Sequence, residues 1–210
     1  MKKNQNLIAT ILVVSLMSVA QIVFAQQEVG VKINGTIWAT RNVGIPNKFV
    51  SNPEDAGMFY QWNRNVGWSL TVGVINSNGV TIWERSNPQG TEWEKVNDPC
   101  PAGWRVPTLD EIRKLLDSNK VSNEMVTQNG IIGRKFTDRV TGKSVFFPAA
   151  GYLEPDYGRL GAVGETGNYH SSVQNSASGA YFLRFSNNSI GTNTYHGRSD
   201  GCSVRCVAEN

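Results

Sequence analysis

Cys100-Pro101-Ala102-Gly103-Trp104-Arg105-Val106-Pro107-Thr108-Leu109-Asp110-Glu111-Ile112-Arg113-Lys114-Leu115-Leu116 carries a cysteine, a tight turn, a tryptophan with a buried signature and the strongest helix start in the sequence. Thr108 and Glu111 have the spacing of a capping box. The threonine hydroxyl accepts from the Glu111 amide, and the Glu111 carboxylate reaches back to the Thr108 amide. Asp110 and Glu111 place negative charge at the positive end of the helix dipole. Pro107 stops the helix from extending backward. Leu109, Ile112, Leu115 and Leu116 share one face at helical spacing, so the helix is short, amphipathic and in need of a docking surface. Cys100 lies just upstream, and its only possible partners are Cys202 and Cys206. The middle of the chain is therefore expected to be tied to its end. Cys202 and Cys206 are four residues apart and face the same side of a strand, so spacing leaves the partner open. A bridge to Cys206 would close a loop of just over 100 residues, worth roughly 4 to 5 kcal/mol by the chain-entropy argument.

Outward from this stretch, the N-terminus reads as a secretory signal peptide over residues 1–25. Lys2 and Lys3 form its positive start, Leu7 to Ala20 its apolar core, and Val23-Phe24-Ala25 its cleavage site before Gln26. The apolar core is shorter than the roughly 20 residues that span a bilayer, so no membrane span is expected after cleavage. Residues 26–210 then form a single domain, exported to the cell surface, the periplasm or the medium. Removing Lys2 and Lys3 lowers the formal charge from +3 to +1. So small a charge, without a basic run interleaved with aromatics, argues against nucleic acid as a partner. Three cysteines in an exported chain imply one disulfide and one cysteine left over.

Taken in order, residues 27–42 read as strand, turn and strand, with Asn34-Gly35 the hairpin signal. Pro53 to Ala56 has the look of a first helical turn, and Met58, Phe59, Tyr60 and Trp62 form a core-type aromatic cluster. Residues 63–90 are rich in Asn, Gly and Ser and read as a long loop with one short hairpin. The helix that starts at Thr108 is expected to end near Ser118-Asn119, with a second helical segment over 119–127. Asn129-Gly130 signals another hairpin, leading into a strand over 131–137, and residues 145–152 form an apolar strand that ends in glycine. In residues 168–200, dominated by Asn, Ser, Gly, Tyr and His, only 181–185 reads clearly as a strand; the last strand covers 203–207. The sum is an α+β domain of short antiparallel strands, one or two helices and long loops.

Together these residues resemble a known family, the Fibrobacter succinogenes major paralogous domain of exported Bacteroidetes and Fibrobacteres proteins. The matching pieces are Trp38-Ala39-Thr40-Arg41-Asn42, Gly57-Met58-Phe59-Tyr60-Gln61-Trp62, Cys100 to Pro107, Phe147-Pro148-Ala149-Ala150-Gly151-Tyr152, Tyr169-His170-Ser171-Ser172 and Ser203-Val204-Arg205-Cys206-Val207. The resemblance implies a C-type-lectin-like fold, shared with formylglycine-generating enzymes, in which the terminal strands pair and a Cys100–Cys206 disulfide ties the helix region to the last strand. The sequence departs from the family at His170, usually Trp, and at Cys202, usually an aromatic residue or Gln. The composition of 168–200 is also similar to the variable region of proteins diversified by a retroelement. His170, Asn175, Phe182, Arg184, Asn193, Tyr195, His196, Arg198, Asp200 and Cys202 all fall within the set that adenine randomisation of an AAC codon can produce.

Formylglycine-generating catalysis implies a copper-binding cysteine pair; Cys202-x-x-x-Cys206 is the only close pair, and the motif around a catalytic pair is missing. His170 and His196 are the only histidines, no Gly-x-Ser-x-Gly elbow accompanies Ser171, and both read as surface histidines in polar loops. Glu154-Pro155-Asp156 is similar to the tripeptide that holds calcium and sugar in true C-type lectins, where oxygen ligands suit a hard cation. Its usual Trp-Asn-Asp companion strand is missing, so no cofactor is expected, with Glu154 and Asp156 the candidate ligands if calcium binds. Trp68, Trp83 and Trp93, in the loop-rich middle, are better candidates for exposed sugar-stacking rings than Trp38, Trp62 and Trp104. Tyr with Asn, Ser and Gly makes adaptable binding surfaces, so the C-terminal loops are the expected contact region. Tyr181, Phe182, Arg184, Tyr195, His196, Arg198 and Asp200 are the candidate contact residues. The expected function is an adhesin-type, non-enzymatic module that binds a surface protein or glycan; the alternative is a structural or tip subunit of a surface appendage.

Overall fold

The capping box forms as its spacing demands. In the computed structural model, which describes residues 28–69, 73–193 and 197–209, the Glu111 amide donates to Thr108 Oγ1 at 3.3 Å and the Thr108 amide donates to Glu111 Oε2 at 2.8 Å. Arg105 adds two hydrogen bonds to the same carboxylate, at 2.9 and 2.7 Å. The helix buries Leu109, Ile112 and Leu115. It stops at Leu115, one turn earlier than its sequence reading, because the Leu116 amide already folds back on Ile112 and Arg113 and the Val121 amide returns to the Asp117 carbonyl.

In chain order, β1 (Val31–Ile33) and β2 (Thr36–Trp38) form the first hairpin. Asn34 and Gly35 close it with φ of 43° and 86°, the paired left-handed geometry that two-residue hairpin turns require. β3 (Phe59–Tyr60), β4 (Gly67–Ser69) and β5 (Ile75–Asn76) make a small antiparallel sheet. β6 (Trp104–Arg105) precedes α1 (Leu109–Leu115). β7 (Val121–Gln128), β8 (Ile131–Asp138) and β9 (Ser144–Pro148) form a meander. β10 (Tyr152–Leu153) and β11 (Leu160–Gly161) are a short hairpin. β12 (Thr166–Gln174), β13 (Ala180–Ser186) and β14 (Ile190–Asn193) form a second meander, and β15 (Val207–Ala208) ends the chain. Strands dominate and α1 is the single α-helix among the described residues. No described helix is long and apolar enough to cross a membrane. The expected signal peptide lies outside the described residues.

Several sequence expectations change. Residues 119–127 are a turn followed by strand β7, not helix: Asn129 and Gly130, with φ of 48° and 83°, close a hairpin that pairs every residue from Val121 to Gln128 with β8. A full ladder outweighs the weak local helical preference of this segment. Pro53 to Ala56 is a turn, fixed by the Asp55 carboxylate, which accepts from the amide and side chain of Asn52. The stretch 63–90 contributes β4 and β5, and 168–200 contributes most of a three-stranded sheet instead of one strand. Trp104 is only half-buried; its ring meets Phe49 edge-on at 5.6 Å.

The ends of the domain pair with each other. β15 lies between β2 and β6, with Val207 opposite both Trp38 and Arg105. The Ala39 amide donates to the Cys206 carbonyl at 2.9 Å. Cys100 and Cys206 are disulfide-bonded, with Cα atoms 6.1 Å apart, and Cys202 is a buried free cysteine. One core cluster gathers Trp38, Ile112, Leu115, Phe136, Phe147 and Phe185 beneath this sheet. A second surrounds the disulfide with Tyr60, Trp62, Trp93, Val106 and Val204. A third, of Phe59, Trp68, Trp83, Ala150 and Leu153, underlies the loops.

Arg205 sits wholly buried between these layers. Its guanidinium lies 4.6 Å from the Phe147 ring centroid and donates to Asn42 Oδ1 and to the carbonyls of Ala39 and Phe146 at 2.8 to 3.1 Å. Burial pulls its pKa down to about 10, so it remains charged at neutral pH.

Candidate functional site

The predicted contact residues do not form one surface. Tyr181 and Arg184 are half-buried on β13. Phe182, Arg198 and Asp200 are buried, which removes them from any exposed contact surface in this conformation. Phe182 is directed inward because His170, opposite it on β12, is itself buried. Arg198 is a clamp: its guanidinium stacks 4.4 Å from the Trp62 ring centroid and donates to the carbonyls of Pro88, Gly90 and Ser176 and to Gln174 Oε1. The backbone around it is fixed by the Gly197 amide, which donates to Asp200 Oδ2 at 3.0 Å. Tyr195 and His196 lie outside the described residues.

His170 is a core residue, not a surface histidine. Its Nε2 is 2.7 Å from the Tyr60 carbonyl and its ring meets Trp93 at 5.2 Å, so it fills the place of a large aromatic side chain. Trp68, Trp83 and Trp93 are also buried. Trp68 and Trp83 pack on each other at 4.7 Å, the Trp83 Nε1–H donates to the Pro155 carbonyl, and the Trp93 Nε1–H donates to Asn97. They support loops and offer no stacking face. The Glu154 carboxylate lies 2.9 Å from the Arg159 guanidinium and Asp156 is exposed. Among the described residues no three His, Cys, Asp or Glu side chains group to hold a metal ion. Burial, reinforced by the charge of Asp200, pushes the Cys202 thiol up, which keeps it in the unreactive protonated form.

Along the start of β8 the described residues form a groove of two adjoining cavities. One end is a cavity of about 500 Å³ lined by Ala56, Phe59, Ile131, Ala149, Leu160 and Val163. The other end is a cavity of about 560 Å³ lined by Met125, Thr127, Thr166, Ser186, Asn187 and Asn188. Ile132 and Gly164 line both, so the two adjoin. Ile131, Ile132, Leu160 and Val163 remain 42–58% exposed, an unusual cluster of aliphatic side chains in contact with water.

Local structure makes this groove rigid. The Gly164 amide donates to the Ala149 carbonyl at 2.8 Å. Gly151, with φ of 76°, lies so close to the Gly161 carbonyl that a Cβ there would approach it to 2.1 Å, so the floor is built backbone against backbone. Glu54 ties the β7–β8 turn to the 53–56 turn, accepting from Gln128 Nε2 at 2.6 Å and Asn129 Nδ2 at 2.8 Å. Those two hydrogen bonds, Gln128 foremost, hold its pKa below the usual glutamate value. At the polar end, buried Arg134 donates to Asn123 Oδ1 at 2.7 Å and to the Ser186 carbonyl at 3.1 Å, fixing the β13–β14 turn against β7 and β8. Sequence reading passed over the groove, although it held one signal. Ile131 and Ile132 are adjacent on a strand, and a strand sends neighbouring side chains to opposite faces.

Comparison with protein-family models, with curated proteins and with solved structures finds no match to this chain.

Proposed function

We propose that this chain is an exported binding module with a C-type-lectin-like fold, related to the Fibrobacter succinogenes major paralogous domain, and that it takes a protein or glycan ligand in the groove along the start of β8. The observation that carries the reading is the groove formed by the two adjoining cavities. It is apolar at Ile131, Leu160 and Val163 and polar at Thr127, Thr166 and Asn187. Each of its cavities has the size of a small-ligand pocket. The 186–188 turn lines its polar end, while none of the described residues expected as contacts lines either cavity. Paired terminal strands and the Cys100–Cys206 disulfide support the fold relationship. A disulfide also fits an oxidising compartment outside the cytosol.

The test is an array of glycans and surface proteins probed with the exported chain and with an Ile132→Lys/Val163→Lys variant, each with calcium and with chelator. Both side chains are about half exposed, so the variant should melt within a degree or two of the parent. Specific binding by the parent, weakened about tenfold or more in the variant and unchanged by chelation, is the expected result. Binding that the variant retains in full would place the ligand elsewhere.

A further inference from the structure

A second surface, across the β10–β11 hairpin from the groove, has a more defined chemistry. A cavity of about 660 Å³ is lined by Val80, Ile82, Trp83, Glu84, Arg85 and Tyr157. Ile82 is 80% exposed and Tyr157 60%, beside the cation of Arg85. The Arg85 guanidinium lies 4.8 Å from the Tyr157 ring centroid. Arg159 also lies over that ring, at 5.7 Å, but its charge is taken by Glu154 at 2.9 Å. Arg85 has no carboxylate within ion-pair distance among the described residues. Glu84, next to it, turns its carboxylate back to the Ser86 amide at 2.8 Å and towards Arg64 at 3.9 Å.

The two loops that carry this surface are locked together. Buried Trp83 packs on Trp68 and donates to the Pro155 carbonyl at 2.7 Å. Gly158, with φ of 62°, lies flat against the Trp83 indole, where a Cβ would come within 2.6 Å of the ring. Arg85 is therefore presented by a preorganised frame and held by its stacking on tyrosine. A guanidinium stacked in this way keeps its edge N–H groups free to grip a carboxylate with two parallel hydrogen bonds.

We propose that this surface binds an acidic peptide segment, with an Asp or Glu carboxylate on Arg85 and a neighbouring aliphatic or aromatic side chain on Ile82, Val80 and Tyr157. One unpaired cation suits a single carboxylate, not a polyanion. Val80 and Ile82 offer no donor or acceptor to sugar hydroxyls, so the apolar flank selects a peptide over a uronic-acid glycan. The site is independent of the groove: this cavity shares no lining residue with either cavity of the groove.

The test is fluorescence polarisation of the exported chain with a library of labelled hexapeptides. Each carries one Asp or Glu next to Leu, Ile or Phe and is paired with its Asn or Gln counterpart. Binding of acidic members, weakened about tenfold or more by the amide exchange and equally by Arg85→Gln, is the expected result. Arg85→Lys should recover only part of it, since lysine keeps the charge but not the fork. Ile132→Lys, in the groove, should leave it unchanged, which separates this site from the groove reading. Arg85 is exposed, so its variants should keep the parent melting temperature. The proposal is overturned if no peptide binds, if amide and acid peptides bind alike, or if Arg85→Gln binds as the parent does. Binding only to oligogalacturonate or to phosphatidylglycerol vesicles would overturn it as well.

Discussion

Two buried arginines, seven residues apart, do the same chemistry in different parts of the molecule. Arg205 stacks on Phe147 and Arg198 on Trp62, and each feeds its N–H groups to backbone carbonyls and one side-chain amide oxygen. Neither has a carboxylate within ion-pair distance among the described residues. What differs is what they join. Arg205 links the segment after β2 to β9 beside the sheet that pairs β2 with β15, one residue from the disulfide. Arg198 joins the 88–90 loop to the end of the β12–β13 hairpin, beside a stretch outside the described residues. A charge held by carbonyls and an aromatic face can be buried without a counterion. Whether it holds the whole fold or only one loop layer depends on the segments whose carbonyls it takes.

The largest test of this contrast is to cut the terminal pin. Cys100→Ala/Cys206→Ala releases a cross-link between positions 106 residues apart and should cost roughly 4 to 5 kcal/mol of unfolding free energy in urea. A loss under about 1 kcal/mol would mean that strand pairing alone holds the ends together. Next in size is the arginine pair itself. Arg205→Met abandons three buried acceptors and should cost about 3 kcal/mol or more, since each unsatisfied buried group costs about 1–3 kcal/mol. Arg198→Met should cost less, about 1 kcal/mol globally, because the loops that hold its acceptors can open locally and give those carbonyls to water; amide exchange should accelerate in residues 84–92 and 174–179, as expected for local opening. Equal global losses from the two variants would erase the distinction between core and loop layer.

Much of the terminal half of this contrast was legible in the sequence. The capping box, the Asn-Gly hairpins and the cysteine positions are local signals whose physics does not depend on distant partners. The family resemblance then implied the Cys100–Cys206 bond that the structure contains. The loop layer was legible only as composition. Nothing in the sequence around Arg198 says that its carbonyl partners come from Pro88 and Gly90, 108 or more positions away, so it read as a surface contact residue. Phe182 and His170 were misread for the same reason. A polar, glycine-rich stretch hides a strand whose inward face is set by pairing partners. β7 failed as a helix because its ladder with β8 is a tertiary fact. The groove escaped because its walls come from the 53–56 turn, β7, β8, the β11 loop and the β13–β14 turn, which no local window can bring together.

The smallest effect in the series separates the two halves by pH. On the terminal side, Asp138 Oδ2 accepts from the Asn34 amide at the β1–β2 turn at 2.8 Å, and Oδ1 accepts from the amides of Val140 and Thr141 at 3.0 and 2.8 Å. These bonds, the Asn34 amide first among them, favour the carboxylate and lower its pKa from the ordinary 3.8 to about 2. Glu28 belongs to the same side. Burial works to raise its pKa, but the Thr40 amide and the Arg41 guanidinium together hold it below the usual range. For a group whose folded pKa is depressed, the stabilisation is complete above the unfolded pKa and is lost as pH falls through the folded one. The terminal hairpin should therefore hold firm from neutral pH down to about 4 and loosen between about 4 and 2. The Arg198 clamp takes carbonyls and the Gln174 amide, so its acceptors do not titrate in that window. Hydrogen exchange followed from pH 7 downward, corrected for intrinsic rates, should show Asn34 losing protection before Arg198. Asp138→Asn should lower the melting temperature near neutral pH and flatten its decline below pH 4. A variant with the same acid profile as the parent would remove Asp138 as the origin of that sensitivity, and simultaneous loss of protection at both sites would show that the two halves open as one.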